Sequence, residues 1–281
     1  MNSEAIIFGK NGRFARSLSS KARDSKCLSY KDFMLEKSGL NSEQIKSNNG
    51  FWTFGSGNKL DREPQSELRA LQKLLNLLQL KKIVMTNFVY LSSGGAIYGK
   101  HVDLASEESP VRPTGRYAET KFHCEELIKN NLLNYVESIQ IFRLANAYNL
   151  ERNNKNPQGL IEKLFESAIS RKPTQIHVDG NSRRQYGSHS DYSKLILSLS
   201  QVPLSDRGGK FEILNIYPPF HLSINEIVLE MANTLNVNVE SLATFDFAIN
   251  SLDSLKLTSN KESKWQESSS WSSLRENILR A

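Results

Sequence analysis

The sequence predicts an α/β fold built on a parallel sheet, and three observations predict it. Short apolar runs alternate with stretches of helical periodicity from the N-terminus to about residue 216. The first run, residues 4–8, ends in a glycine turn, Gly9-Lys10-Asn11-Gly12, ahead of a helix-compatible segment. Leucines at 68, 71, 74, 75 and 78 then mark one helix face within residues 64–82, just before the apolar run Phe88-Val89-Tyr90-Leu91. Strands alternating with helices imply right-handed βαβ crossovers and hence a parallel sheet.

In chain order, residues 4–8 read as a buried strand and Arg13 to about Lys21 as a helix. Residues 26–30 read as a second strand, and the polar stretch 36–50 as one helix with loops. Residues 51–54 are strand-like and run into Gly55-Ser56-Gly57. After the leucine-marked helix and the strand 88–91, residues 113–131 form a long helix and 138–144 the next strand. A strand near 211–216 is expected to complete the sheet, and residues 274–279 to form a short helix led in by a serine-rich stretch around Trp271.

The bulk composition is that of a soluble globular chain: 281 residues, 38% hydrophobic and 23% charged. No apolar run approaches the ~20 residues of a membrane helix, and the start lacks a basic segment followed by a long apolar one, so neither membrane span nor secretory signal is expected. Cys27 and Cys124 form no CxxC pair, which fits a reducing cytoplasm. The net charge of +6 is spread along the chain and favours anionic small molecules over nucleic acid, for which no signature is present. The five histidines have no metal-ligand spacing, so no metal is expected.

Gly9, Gly12 and Ala15 form GxxGxxA between strand and helix. Gly9 permits a tight turn, Gly12 lets the backbone approach a pyrophosphate, and Ala15 lets the helix pack on the sheet. The helix start at Arg13 and Phe14 offers N–H groups to the phosphates. A ribose would be read near the end of the second strand, where Tyr30, Lys31 and Asp32 stand. Asp32 leans towards NAD; Lys10, Arg13 and Lys31 lean towards NADP.

Tyr117 and Lys121 form YxxxK. At i and i+4 on a helix they share one face. An ammonium beside a phenol favours the phenolate, and such a tyrosine can exchange a proton with a substrate hydroxyl while hydride moves to or from nicotinamide. YxxxK alone has little specificity, since it also describes an ordinary surface helix pair.

Context supplies the specificity. Residues 88–99, ending Ser92-Ser93-Gly94-Gly95-Ala96-Ile97-Tyr98-Gly99, resemble the SSxxxYG strand end of the extended short-chain dehydrogenase/reductases, the NAD-dependent epimerase/dehydratase family. Residues 143–148 are similar to that family's RxxNxYG segment, and 179–191 to its GdGxxxRDfihvxD segment. Residues 211–227 and Lys264-Trp265-Gln266 resemble its later motifs. The resemblance implies a Rossmann-type doubly wound parallel sheet over 1–150, completed by about 189–216, with a small substrate-binding lobe from 151–188 and 217–281. It implies NAD or NADP as cofactor, contacted by Gly9, Gly12, Arg13, Phe14, Asp32, Gly55, Ser92, Tyr117 and Lys121. It implies a nucleoside-diphosphate sugar as substrate, contacted by Ser93, Gly94, Asn146 and Arg184, with Tyr117, Lys121 and Ser93 catalytic. The expected reaction is 4-keto reduction or 4-epimerisation, in surface polysaccharide biosynthesis. Members of the family often pair as homodimers through a helix pair that includes the Tyr117 helix.

This chain departs from the family pattern in ways that bear on function. Gly94 stands where the epimerases carry a serine or threonine. Gly95-Ala96 replaces the Asp-Glu of the dehydratases, which argues against dehydration. The segment before Phe51 is one βα step short, and Gln185 replaces the aspartate after Arg184. These departures also admit an alternative, a catalytically weak NAD(P)-binding sensor or a structural family member.

Overall fold

In the computed structural model the described residues are 5–22, 24–35, 45, 49–54, 66–99, 103–150, 157–201, 204, 209–245, 254–259 and 271–281. Gly55, most of the 36–50 stretch and Ser268–Ser270 fall outside them. The main sheet has six strands: β1 (Ala5–Phe8), β2 (Ser25–Leu28), β3 (Asn49–Trp52), β4 (Met85–Ser93), β6 (Val136–Leu144) and β10 (Phe211–Ile216). Their order is β2-β1-β3-β4-β6-β10, and every pairing is parallel. A parallel sheet covered on both faces needs apolar side chains pointing both ways. Accordingly β4 is buried from Asn87 to Ser92 and β6 from Ser138 to Leu144.

Side chains alternate between the faces with a period of two. Ile6, Phe8, Trp52, Phe88, Tyr90, Ile139 and Ile141 point to one face, where α3 (Ser66–Lys81) and α5 (Arg116–Asn131) cover them. Ala5, Ile7, Phe51, Val89, Leu91, Phe142 and Leu144 point to the other, beneath α1 (Arg13–Ser19) and α7 (His189–Ser200). The chain leaves β1 to opposite sides, through α1 to β2 and onward to β3. The switch point of this doubly wound sheet therefore lies beside the Gly9–Gly12 turn. Among the described residues no strand lies beyond β2.

The second strand is shorter than the sequence suggested. It ends at Leu28, and Tyr30, Lys31 and Asp32 belong to a helical turn, α2 (Tyr30–Met34), capped by Ser29.

Beyond the sheet, β7 (Asn146–Tyr148) pairs parallel with β9 (Arg183–Ser188), which pairs antiparallel with β11 (His221–Ser223). The short pairs β5 (Leu104–Ala105) with β13 (Lys256–Leu257) and β8 (Thr174–Ile176) with β12 (Ala243–Phe245) brace this region. The helices α6 (Leu160–Ser170), α8 (Ile224–Leu235), α9 (Val239–Leu242) and α10 (Leu274–Arg280) bury their apolar sides in a separate cluster that includes Ile161, Leu164, Ile227, Met231, Leu242 and Ile278. Capping boxes start α8 at Ser223 and Glu226 and α10 at Ser273 and Glu276, satisfying N–H groups that a helix start leaves open.

Candidate active site

Three strand ends meet at the carboxyl edge of the sheet: β1 with its glycine turn, β4 with Ser92 and Ser93, and β6 with Asn146 shortly after it. Gly9 has φ of 128°, a conformation that L side chains rarely adopt, and a Cβ there would lie 2.3 Å from Thr53 Oγ1. Thr53 donates its hydroxyl to the Phe8 carbonyl at 2.7 Å, closing β3 onto the turn. The Gly12 N–H donates back to the Gly9 carbonyl at 2.7 Å. Gly12 itself has φ of −76°, which any residue adopts, so its value lies in its small size. Ala15 is fully buried, and Phe14 stacks on His189 with ring centroids 4.2 Å apart.

Arg13 forms an ion pair with Glu162 on α6, whose Oε1 and Oε2 also accept the backbone N–H groups of Asn149 and Gln158. Asp32 sits in the first turn of α2, where its carboxylate accepts the Ser29 hydroxyl at 2.6 Å.

At the end of β4, Ser92 is buried and its hydroxyl has no hydrogen-bond partner among the described residues. Ser93 is half-buried and stands at the N-terminal boundary of α4 (Gly94–Ile97), where its side chain makes no capping hydrogen bond among the described residues. Gly94 is packed tightly. A Cβ there would stand 2.4 Å from Leu257 Cδ1, 3.1 Å from the Arg143 carbonyl and 3.3 Å from the Leu144 carbonyl. Leu257 is pinned by the residue that replaces the family's aspartate. Its N–H donates to Gln185 Oε1 at 2.7 Å, and Gln185 Nε2 donates to its carbonyl at 3.4 Å. The two departures read separately in the sequence are thus joined through one leucine.

On α5, Tyr117 is in the first turn and 43% exposed, whereas Lys121 is 1% exposed. The Lys121 ammonium donates to Glu67 Oε1 at 2.9 Å, to the Leu91 carbonyl at 2.9 Å and to the Phe54 carbonyl at 3.5 Å. It also lies 4.9 Å from the centre of the Tyr90 ring. Burial works against the charged amine, but the groups around it, Glu67 foremost with Tyr117 and Cys124, together outweigh it and hold the Lys121 pKa above the ordinary lysine value. Burial also raises the Glu67 carboxyl, against the opposing pull of Lys121. One turn further along α5, Glu125 binds Arg143 through both carboxylate oxygens, with Nη2 at 2.7 Å. Arg143 Nη1 donates to the Tyr98 hydroxyl at 3.0 Å, which donates to Asn215 Oδ1 at 2.7 Å. Two buried ion pairs therefore fix the inner face of α5.

Asn146 and Arg184 come together. Both line a cavity of about 360 Å³ with Gly95, Lys163, Thr174 and His177. Among the described residues no cluster of three metal-ligating side chains occurs, and no helix is long and apolar enough to cross a membrane. Both cysteines are free, Cys124 buried and Cys27 partly so.

Sequence reasoning missed Glu67, Glu162, Lys163 and His177. Glu67 carried a usable signal. It stands four residues before Leu71 and seven before Leu74, a carboxylate on the apolar stripe of α3.

Residues 63–216, more than half of the chain, match the family described as NAD dependent epimerase/dehydratase. The chain belongs to the NAD-dependent epimerase/dehydratase family. A curated relative, "Putative UDP-glucose 4-epimerase" of Methanocaldococcus jannaschii, is 30% identical over 157 residues, which are 54% of this chain and 48% of the relative. The family member described here thus spans about half the length of the curated relative it matches. Among solved structures, MoeE5 in complex with UDP-glucose and NAD superposes with a TM-score of 0.77 at 18% identity, covering 99% of this chain and 96% of that one. The UDP-glucose 4-epimerase of Thermotoga maritima with UDP-glucose gives 0.76 at 18% identity, covering 98% and 96%. At these identities the likeness concerns the fold.

Proposed function

We propose that this family member is an NAD(P)-dependent enzyme acting on a nucleoside-diphosphate sugar, by 4-epimerisation or 4-keto reduction. The observation that carries the reading is the convergence of Asn146, Arg184 and Gly95 on one cavity at the carboxyl edge of the sheet. A guanidinium fork there suits a pyrophosphate, and Lys163 adds positive charge on the same wall. The relatives named for UDP-glucose 4-epimerase support epimerisation, and a UDP-sugar as the first substrate to test.

The dinucleotide fits the glycine turn. Gly9 leaves no room for a side chain against Thr53, so the backbone itself faces the crevice at the switch point. A dinucleotide bound there would supply the hydride acceptor or donor for the sugar carbon. The Tyr117 phenol, exposed at the start of α5, exchanges the proton of the reacting hydroxyl. Ser93, with Ser92 beside it, donates to the reacting oxygen, and Asn146 and Arg184 hold the substrate's nucleotide end. Lys121 acts on Tyr117 through its charge. With three acceptors already around its ammonium, it can reach a ribose hydroxyl by releasing the longest contact, that to Phe54. NAD and NADP both remain in this reading. So does the division into a sheet domain at 1–150 with 189–216 and a lobe from 151–188 and 217–281.

A second reading, nucleotide binding without turnover, is favoured by one observation: Leu257 occupies the space a serine or threonine side chain at 94 would need. The deciding experiment is denaturation of purified protein to identify any released nucleotide, then assay of UDP-glucose turnover for wild type and Tyr117→Phe. Turnover that Tyr117→Phe abolishes, with nucleotide binding retained, supports the enzyme. Nucleotide binding without turnover supports the second reading, and full activity of Tyr117→Phe overturns the assigned role.

A further inference from the structure

We propose that Glu67 is the positioning residue of the Tyr117–Lys121 pair: its carboxylate fixes the Lys121 ammonium on the inner face of α5 and cancels much of the charge directed at the phenol one turn away. This rests on the reading of Tyr117 and Lys121 as the acid/base pair, and adds a residue to it.

The geometry begins with donor counting. An ammonium has three N–H donors. Those of Lys121 meet Glu67 Oε1, the Leu91 carbonyl and the Phe54 carbonyl, so its orientation is set by α3, β4 and the residue two beyond β3. Glu67 is equally constrained, since its Oε1 also accepts the Tyr90 hydroxyl at 3.0 Å. Both side chains are buried, at 2% and 3% exposure, so water does not screen the pair. The charged and titratable groups around the ammonium are Glu67 from α3, Tyr90 from β4, and Tyr117 and Cys124 from α5 itself. Glu125, the other carboxylate on that face of α5, is committed to Arg143. Glu67 is therefore the one full negative charge in contact with Lys121 among the described residues.

A phenol on the same helix then feels a dipole where the sequence alone promised a free cation. The field of a close opposite pair falls faster with distance than that of a single charge, so the pull of Lys121 on a phenolate at Tyr117 is weakened by its partner. Glu67 also fixes where the ammonium stands and which of its contacts can open, because the 3.5 Å contact to Phe54 is the longest of the three.

The test reads the tyrosine directly. Tyrosine labelled with carbon-13 at Cζ is incorporated into the full chain, and the Tyr117 resonance is assigned by its loss in Tyr117→Phe. It is then titrated with pH in wild type and Glu67→Gln. The expected result is a Tyr117 midpoint that falls by more than about 0.3 unit in Glu67→Gln, because the cation is no longer cancelled. A midpoint within 0.3 unit of wild type (about a twofold change in the equilibrium) overturns the proposal. Breaking a buried pair can prevent folding, so the double variant Glu67→Gln with Lys121→Met, which leaves two neutral chains of similar size, supplies the second arm. If the pair is self-cancelling, its midpoint stays within about half a unit of wild type. A rise of more than about half a unit shows an uncompensated lysine and overturns the proposal. A protein that fails to turn over any nucleotide sugar yet gives these shifts would refute the enzymatic reading while leaving the role of Glu67 intact.

Discussion

Replacing Gly94 by alanine tests whether the strand end is closed to a side chain. The added Cβ meets Leu257 Cδ1 at 2.4 Å and the carbonyl oxygens of Arg143 and Leu144 at 3.1 and 3.3 Å. The leucine methyl could rotate away, but Leu257 is 1% exposed and its backbone is hydrogen-bonded to Gln185 in both directions. The carbonyls belong to β6, which is paired on both sides by β4 and β10. Relief must therefore come from a shift of Leu257 or of α4. Overpacking of this kind costs about 1–3 kcal/mol. For a chain of this size about 2 kcal/mol corresponds to a fall in Tm of roughly 4–8 °C, read by calorimetry or circular dichroism. Leu257→Ala alone should cost about 2–5 kcal/mol through its cavity. The double variant should be more stable than the sum of the two losses, because each change makes room for the other; residues in contact couple by about 0.5–3 kcal/mol. Gly94→Ala within about 0.5 kcal/mol of wild type, or strict additivity in the double, would refute the reasoning.

Three further outcomes follow from buried groups and caps. Glu125→Gln leaves the Arg143 guanidinium buried without its bidentate partner and should lower stability by about 3–5 kcal/mol in urea denaturation; an effect below about 1 kcal/mol would show that the pair is dispensable. His189 is held neutral in the folded state because burial lowers its pKa to about 3, so below the unfolded value near 6.5 the unfolded chain takes up a proton that the folded chain refuses. Stability should fall as pH drops from about 6.5 towards 3, by about 2 kcal/mol at pH 5 from this group, and His189→Leu should flatten the urea-midpoint profile over that window. Glu226 has a depressed pKa, chiefly from the Ser223 N–H it accepts, so its help to the α8 cap is present above its unfolded pKa near 4.5 and is lost as pH falls through the folded one. The stability gap between wild type and Glu226→Gln should narrow steadily as pH falls below about 4.5, and a gap unchanged by acidification would contradict the cap assignment.

Much of the sheet was legible because parallel strands buried on both faces leave near-continuous apolar runs, as in Phe88–Leu91 and Ile139–Phe142. The end of β2 was misread for an instructive reason. Tyr30 is a good strand residue by composition, but Ser29-Tyr30-Lys31-Asp32 is also a helix-start signature, and the Ser29 side chain accepts the Asp32 N–H at 3.0 Å. A short capping motif outweighed the preference of one aromatic residue. In the candidate site, Asn146 and Arg184 were singled out by the resemblance of residues 143–148 and 179–191 to family segments, and the fold places both on one cavity. The crowding of Gly94 by Leu257 was not legible, because it joins residues 163 positions apart through a strand pairing that no local pattern announces.

The joints between the main sheet and the smaller one have a mechanical consequence. One residue, Ala145, separates β6 from β7, and β9 runs straight into α7 at Ser188 and His189. The His189 carbonyl in turn accepts the Ser17 hydroxyl of α1 at 3.1 Å. These couplings have no slack. A tilt of the three-stranded sheet would be passed as torque along α7 into α1 and so to the glycine turn. Occupancy of one half of the cleft would be felt as stiffness in the other, a property that hydrogen exchange along α1 would register.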